Sequence, residues 1–167
     1  FLNKNIGKNK YLDYFGFFGA QWVIFLMLIW FLVGFMRYRW PESPNYKWEL
    51  LIIGICWGVA MVISVVTAKI VKRSRPYIEH PKKTSFLLHA MLPWKSFPSD
   101  HTMTAFLLLF AAFLFKIPGA WVFILLSFWV AWGRVYSGVH YPMDVLGGVI
   151  LAIFSYILYL FLIFILF

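Results

Sequence analysis

WELLIIGICWGVAMVISVVTAKIV, residues 48–71, contains 24 residues with one acidic and one basic side chain, Glu49 and Lys69, near its two ends. A helix needs about 20 predominantly apolar residues to cross the roughly 30 Å hydrocarbon core of a bilayer. The stretch therefore predicts a transmembrane helix whose charged residues lie close to the two membrane surfaces.

Four further apolar stretches surround this one, at about 14–36, 100–115, 118–134 and 144–167. The two short stretches are separated only by Lys116 and Ile117, and Pro118 suits the first turn of a new helix. Together they predict a tight helical hairpin. The N-terminal residues 1–15 combine lysines with apolar side chains, which is typical of a segment lying on the membrane surface.

The composition supports a membrane protein. Of the 167 residues, 63% are hydrophobic and 13% are charged, whereas about 45–50% apolar residues is usual for soluble domains. We therefore predict an all-α integral membrane bundle, one domain over residues 1–167, with about five transmembrane helices plus the N-terminal interfacial segment. Cys56 is the single cysteine and cannot form an internal disulfide. No cleavable signal peptide is recognised.

The net charge of +9 is compatible with nucleic acid, anionic lipid or an anionic substrate as the partner. The predicted spans decide among these, because they bring Lys69, Asp100, Arg134 and Asp144 to the same membrane face. Polar residues therefore cluster at one end of the bundle, and we expect a membrane lipid partner rather than nucleic acid. No protein partner is predicted.

The first cluster is KIVKRSRP, residues 69–76. Its lysines and arginines repel one another unless an anion joins them, and the guanidinium group of arginine suits phosphate oxygens. Basic residues that flank a membrane helix on the cytoplasmic side are the common alternative. Taken alone, this cluster favours that alternative.

The second cluster is FPSDHT, residues 97–102. Ser99 is a good N-cap for the third span, whose free backbone N–H groups and positive end can bind an anion. Helix capping by itself is the commoner use of such a pair. His101, in the first turn, is harder to explain by capping alone.

The third cluster is GRVYSGVHYPMDVLGG, residues 133–148, in which Asp144 follows His140 by four residues. The Asp144 carboxylate can then hold one imidazole nitrogen and leave the other facing the site. A purely structural His–Asp contact at the interface is the alternative.

The three clusters together favour phosphoryl transfer. Cations and N–H groups stabilise phosphate oxygens, one histidine attacks phosphorus and a second protonates the leaving oxygen. A metal site is the competing use of His101, His140, Asp100 and Asp144. The surrounding cations oppose a divalent ion, so we expect neither metal nor cofactor.

RSRP, FPSDH and GRVYSGVHYPMD resemble, in order and spacing, the three motifs of the type 2 phosphatidic acid phosphatase superfamily. The resemblance covers residues 69–144 and implies a metal-independent membrane lipid phosphatase that forms a phosphohistidine. By this resemblance, His140 is the nucleophile, Asp144 orients it and His101 is the general acid. The implied phosphate-binding residues are Lys69, Arg75, Ser99, Asp100 through its N–H group, and Arg134.

Three positions depart from the family pattern. The first motif has a lysine, six residues and then Arg-Pro, but Ala68 occupies the lysine position here. Lys69 is our choice for that lysine, and Lys72 is the alternative. Asp100 replaces the usual glycine of Pro-Ser-Gly-His, as in bacterial undecaprenyl pyrophosphate phosphatases, and Gly133 replaces a serine.

The resemblance implies a lipid phosphate or pyrophosphate as substrate. Undecaprenyl pyrophosphate, lipid A 1-phosphate and phosphatidylglycerophosphate all fit, with the apolar patch at residues 86–94 as a lid. A non-catalytic protein that binds anionic lipid is the alternative.

Two arguments disagree about the side of the membrane on which the site lies. The positive-inside rule places the site face in the cytoplasm, because it carries eleven Lys and Arg against four opposite. Bacterial family members usually face the periplasm, which we adopt for a bacterial inner-membrane protein. The eleven are Lys4, Lys8, Lys10, Lys69, Lys72, Arg73, Arg75, Lys82, Lys83, Lys95 and Arg134, and the four are Arg37, Arg39, Lys47 and Lys116.

Overall fold

The computed structural model describes residues 5–81, 85–88 and 92–167, and the regular structure within these ranges is helical, without strands. This confirms the predicted all-α class. Residues 1–4, 82–84 and 89–91, which include parts of the N-terminal segment and of the proposed lid, lie outside the described residues. Lys4, Lys82 and Lys83 are among them. The helices are α1 (Lys10–Gln21), α2 (Val23–Gly34), α3 (Trp40–Glu42), α4 (Tyr46–Val71), α5 (Pro76–Glu79), α6 (Asp100–Leu114), α7 (Ala120–Tyr136) and α8 (Pro142–Leu166).

Three helical segments of the described chain are long and apolar enough to cross a membrane: Val23–Glu42, Tyr46–Glu79 and Pro142–Leu166. The apolar helices α6 and α7 are shorter, as the sequence predicts for the third and fourth spans. Many large apolar side chains remain exposed on the outside of the bundle, where water would be unfavourable and lipid is not. The chain is an integral membrane protein.

The predicted first span, 14–36, is wrong at both ends. Residues 10–21 form the separate helix α1, the helix is interrupted at Trp22, and helical structure then continues through a π-helical segment, Phe35–Arg39, into α3. The Ala20 carbonyl would accept a hydrogen bond from residue 24 in a continuous helix. Instead it accepts one from Arg134 Nη1 at 3.0 Å, which explains the interruption.

The hairpin between α6 and α7 is present, but Pro118 does not begin α7. Gly119 is the N-cap, with a φ of 77° that suits glycine, and α7 starts at Ala120. Pro118 lies in the turn, where its carbonyl accepts a hydrogen bond from Trp30 Nε1 at 3.2 Å. Pro142 does occupy the first turn of α8, as predicted.

Helix α6 lies at the centre of the bundle, packed against α2, α4, α7 and α8. Its residues Met103, Ala105 and Ala112 are completely buried. Glycine permits the close approach of α8, because a Cβ at Gly148 would lie 2.6 Å from the Ser99 carbonyl oxygen. This contact fixes the start of α6 against the start of α8.

The predicted convergence of polar residues at one end of the bundle is observed. The Ser99 N–H donates to the Asp144 carbonyl at 2.9 Å, and Arg73, which follows α4, contacts the Asp144 carboxylate at 3.0 Å. Arg134, near the end of α7, contacts His140 in the loop before α8. The ends of α4 and α7 therefore meet the starts of α6 and α8.

Candidate active site

His140 lies at the centre of the polar cluster, and its two ring nitrogens have different surroundings. Nδ1 is 2.8 Å from the Ser96 carbonyl oxygen, which can only accept, so the proton of the neutral ring is on Nδ1. Nε2 is 3.3 Å from Arg75 Nη1 and 3.3 Å from Arg134 Nη2. The Nε2 lone pair therefore faces two guanidinium groups.

The two arginines are held in place by backbone oxygens. Arg75 donates to the carbonyls of Leu92 at 3.2 Å and Val139 at 2.9 Å, and Arg134 donates to the carbonyl of Ala20. Both side chains are buried, and within the described ranges neither forms a salt bridge with a carboxylate. Two neighbouring buried cations without a counterion favour an anion between them.

The surroundings of His140 keep its imidazole neutral. Burial, together with the nearby charges of Arg134 and Arg75, lowers the pKa of His140 to about 4, although Asp144 opposes the shift. A neutral imidazole with its proton on Nδ1 has a free electron pair on Nε2. The ring is therefore chemically able to act as a nucleophile at neutral pH.

The Asp144 carboxylate is completely buried and is surrounded by donors. It accepts hydrogen bonds from Ser96 Oγ at 2.6 Å, the Tyr141 N–H at 2.8 Å and Arg73 Nη1 at 3.0 Å. Its Oδ2 atom is 3.7 Å from His140 Nδ1, farther than the Ser96 carbonyl. Asp144 is therefore beside the imidazole, but Ser96 provides its nearest hydrogen-bond acceptor.

The start of α6 faces the same cluster. Ser99 is the N-cap residue as predicted, but its side chain does not cap the helix; its Oγ accepts a hydrogen bond from Thr102 Oγ1 at 3.0 Å. The first N–H groups of a helix have no partner within it. His101 lies within electrostatic range of His140, Arg75 and Arg134. The helix start thus adds donors and a second imidazole to the site.

The Asp100 carboxylate is bound by other side chains of the protein. It is ion-paired through both oxygens with the ammonium group of Lys95, and Oδ1 also accepts a hydrogen bond from Ser64 Oγ at 2.6 Å. Lys95 is only 2% exposed. Asp100 therefore brings a buried lysine into the neighbourhood of His101.

The structure does not bring Lys69 and Lys72 into this buried cluster. Both are exposed at the end of α4, where they line an open cavity of about 510 Å³ together with Ala68, Ser74 and Trp94. Lys72 adopts a left-handed conformation that ends the helix. The other residues implied by the resemblance lie in or next to the cluster: His140, His101, Asp144, Arg75, Ser99, Asp100 and Arg134.

Sequence reasoning placed Arg73 in the first cluster and Lys95 on the site face, but it gave neither of them, nor Ser96, a role in the site. Lys95 and Ser96 directly precede FPSDH, and the unusual Asp100 was the available signal that a cation lies nearby. Ser96 contributes mainly through its carbonyl, which no side-chain pattern reveals. Within the described parts of the chain, no three His, Cys, Asp or Glu side chains are grouped to hold a metal ion.

Comparison with curated proteins gives one relative named as a transport permease and others named as phosphatases. The chain is 28% identical over 83% of its length to bacitracin transport permease protein BcrC of Bacillus licheniformis. It is 33% identical over 66% of its length to the putative undecaprenyl-diphosphatase YbjG of Escherichia coli, and 33% identical over 80% to a lipid A 1-phosphatase of Rhizobium etli. The chain covers 66%, 56% and 61% of these relatives, respectively, which is less than two thirds of each.

Two solved structures share the fold, each with a TM-score of 0.67. LpxE of Aquifex aeolicus is 24% identical, with 95% of this chain and 90% of that chain covered. The transmembrane PAP2-type phosphatidylglycerolphosphate phosphatase of Bacillus subtilis is 23% identical, with 99% and 84% covered. The PAP2 superfamily model matches residues 49–165, which include every helix that contributes to the His140 cluster except α1. This chain therefore belongs to the PAP2 superfamily.

Proposed function

We propose that this protein hydrolyses a phosphate or pyrophosphate carried by a membrane lipid, through a phosphohistidine on His140. The observation that carries the proposal is the position of His140 Nε2, which has a free electron pair and lies 3.3 Å from a nitrogen of each of two buried guanidinium groups. A phosphate bound by Arg75 and Arg134 would have its phosphorus next to this nitrogen.

In the first step, Nε2 attacks the phosphorus and a P–N bond forms. The bond from this phosphorus to the oxygen of the leaving lipid alcohol, or of the leaving lipid phosphate in a pyrophosphate, breaks. His101, whose protonated form is favoured by the negative charge of the bound phosphate, donates a proton to the leaving oxygen. In the second step, water gives a proton to His101 and its oxygen attacks the phosphorus. The P–N bond then breaks, inorganic phosphate is released and the original protonation states return.

The charge in the transition state would be stabilised by Arg75, Arg134 and the first N–H groups of α6. These groups are already oriented by the fold, because the arginines are bound to backbone carbonyls and the helix start is fixed against α8. Preorganised donors of this kind typically contribute about 10²–10³ in kcat each. Asp144 and Ser96 would position the imidazole.

For the substrate we propose a polyprenyl diphosphate, namely undecaprenyl pyrophosphate, ahead of the other lipid phosphates. The support is the Pro-Ser-Asp-His sequence at residues 98–101 and the names of two curated relatives, a putative undecaprenyl-diphosphatase of Escherichia coli and the undecaprenyl-diphosphatase BcrC of Bacillus subtilis. The relatives from Rhizobium keep lipid A 1-phosphate as the second candidate. Phosphatidylglycerophosphate is the third.

The test is phosphate release by detergent-purified protein from each of these three lipids, with EDTA present. We expect release that persists in EDTA and disappears in His140→Ala. His80→Ala is the matched control, because His80 is an exposed histidine outside the buried cluster. The lipid with the highest kcat/KM identifies the substrate class.

The competing function is a protein that binds anionic lipid without turnover. It predicts that well-folded wild-type protein binds all three lipids but releases no phosphate from any of them. That result would contradict the hydrolase proposal. Equal release by wild type and His140→Ala would instead contradict the phosphohistidine.

We also propose that the site faces the periplasm of a bacterial inner membrane. Ser74 is exposed at the site end, and Lys116 is exposed in the hairpin at the other end of α6. In a protein with Cys56→Ala, Ser74→Cys should react with a membrane-impermeant maleimide in spheroplasts, whereas Lys116→Cys should react only after lysis. The reverse pattern would place the site in the cytoplasm.

A further inference from the structure

The position at which the family pattern has its phosphate-binding lysine is occupied by Ala68, which is 2% exposed. Ala68 packs against the bundle and also borders the open outer cavity at the end of α4, and alanine supplies no charge there. Lys69, the next residue, is exposed and lines the open outer cavity. Successive residues of a helix point about 100° apart, so Lys69 does not share the direction of Ala68. Helix α4 therefore has no lysine at the position of the family's phosphate-binding lysine.

Lys95 brings an ammonium group to this side of α4 from a different segment. Its amine pairs with Asp100, and Asp100 also accepts a hydrogen bond from Ser64, at 2.6 Å. Ser64 is one helical turn before Ala68 and therefore lies on the same face of α4. The Lys95 amine is thus adjacent to the α4 face on which the family lysine would be found.

We infer that Lys95 is the phosphate-binding lysine of this protein, supplied by the loop before α6 instead of by α4. The inference rests on the proposed function, because it assigns a residue to the same phosphate site. The amine has three N–H donors, and the two oxygens of Asp100 use two of them. The third donor is not used by Asp100, and the ammonium charge lies close enough to His101 to act on it.

Asp100 has a defined part in this arrangement. Within the described chain it is the acidic partner of Lys95, and it is also within electrostatic range of Arg75 and Arg134. Its carboxylate therefore holds the lysine amine at the first residue of α6, next in sequence to His101. The combination of Ala68, Lys95 and Asp100 replaces the lysine and glycine that the family pattern has at positions 68 and 100.

The experiment compares phosphate release by Lys95→Met, Lys69→Met and the double variants Lys95→Met/Asp100→Gly and Lys95→Met/Ala68→Lys. Lys47→Met is the surface-lysine control, because Lys47 is exposed at the start of α4, at the opposite end. We expect Lys95→Met to lower kcat/KM by about 10²-fold, as loss of a transition-state donor does. The fold reduction in kcat/KM caused by Lys69→Met should be at least ten times smaller than that caused by Lys95→Met. Folding of each variant is checked by thermal unfolding.

The double variants separate phosphate binding from simple charge neutralisation. If Lys95 binds phosphate, Lys95→Met/Asp100→Gly stays defective and Lys95→Met/Ala68→Lys regains at least tenfold in kcat/KM. If Lys95 only neutralises Asp100, removing both charges restores activity, and this outcome overturns the inference. Wild-type activity of Lys95→Met, or a larger defect in Lys69→Met, also overturns it.

A second readout keeps the test independent of turnover. Stabilisation by inorganic phosphate is measured as the rise in unfolding temperature with phosphate concentration. For the same rise in unfolding temperature, we expect Lys95→Met and Lys95→Met/Asp100→Gly to need at least a tenfold higher phosphate concentration than wild type. If the wild type releases no phosphate from lipids but this shift is observed, the proposed function fails and the assignment of Lys95 stands. Equal phosphate affinity in all variants contradicts the assignment.

Discussion

His140 Nδ1 lies 2.8 Å from the carbonyl oxygen of Ser96, so the loop before α6 determines which nitrogen of the histidine is free. Ser96 is buried directly before the FPSDH sequence, and His140 is buried two residues before α8. The contact is made by a backbone oxygen and is therefore independent of the side chain at position 96. It couples the histidine to the segment that also carries Lys95.

The first prediction concerns the tautomer and titration of His140. In ¹⁵N-histidine NMR of the detergent-solubilised protein, the His140 signal should show the Nδ1–H form at pH 6–8. It should titrate with a pKa of about 4, because the buried ring faces two guanidinium groups. The His140→Asn spectrum identifies the signal by its loss. A midpoint near 6.5 would show that the ring is not desolvated.

The second prediction follows from the same pKa by linkage. The unfolded chain binds a proton at His140 below about pH 6.5, whereas the folded protein does not until about pH 4. His140 should therefore make the folded state less stable as the pH falls from 6.5 to 4, and the loss should level off below 4. Thermal unfolding of wild type should show a steeper acid dependence than that of His140→Asn. Parallel curves for the two proteins would contradict this.

The sequence predicted the spans α4, α6, α7 and α8 to within about two residues, because each is an apolar run bounded by charged or turn-forming residues. It failed at the first span, because the apolar run at 14–36 contains no local signal for a break at Trp22. The break depends on Arg134, more than a hundred residues away, which binds the Ala20 carbonyl. Tertiary contacts of this kind cannot be read from local hydrophobicity.

The residues of the candidate site that could be predicted are those whose side chains belong to the three sequence motifs. Arg75, His101, Arg134 and His140 are all found in such motifs and lie in or beside the cluster. The contribution of Lys95 was not predictable from spacing, because it depends on which face of α4 meets the loop before α6. Spacing also made Lys69 the choice for the first-motif lysine, although its side chain is exposed.

The third prediction tests the close contact between α8 and α6. Gly148→Ala should destabilise the protein by about 1–3 kcal/mol, because its Cβ would lie 2.6 Å from the Ser99 carbonyl oxygen and 3.1 Å from the Met103 nitrogen. Activity should fall as well, because Ser99 begins α6 beside the site. Gly54→Ala is the matched control, since its Cβ meets no atom within 4 Å. It should be neutral or stabilising by up to about 1 kcal/mol. Equal unfolding temperatures for the two variants would contradict the packing argument.

The fourth prediction separates stability from activity at the opposite end of the bundle. Glu49 is buried and accepts hydrogen bonds from Arg39 Nε at 2.8 Å, Arg39 Nη2 at 2.5 Å and Ser43 Oγ at 3.1 Å. Glu49→Gln should lower the free energy of unfolding by about 1–3 kcal/mol, because charged hydrogen bonds are weakened. The kcat/KM for lipid hydrolysis should change by less than about twofold, since the pair is remote from His140. A large loss of activity in folded protein would indicate that this end is coupled to the site.

The last prediction concerns the apolar patch at residues 86–94, parts of which lie outside the described residues. Leu92 and Trp94 are exposed, although the Leu92 carbonyl accepts a hydrogen bond from Arg75 and Trp94 lines the outer cavity beside Lys69. The segment that carries these apolar side chains therefore holds Arg75 and borders the outer cavity. If they cover the bound lipid, Leu92→Ser with Trp94→Ser should raise the apparent KM.

The size of the expected effect follows from the apolar contact that the double substitution removes. Loss of even about 1.4 kcal/mol of binding raises a dissociation constant tenfold, and a partly covered Leu and Trp can supply this much. The kcat should change less, because the Leu92 carbonyl that binds Arg75 is retained. A short-chain, water-soluble phosphate is the control substrate, since without a tail it should not distinguish the variant from wild type. An unchanged KM for the long-chain lipid would mean that the tail does not contact this segment.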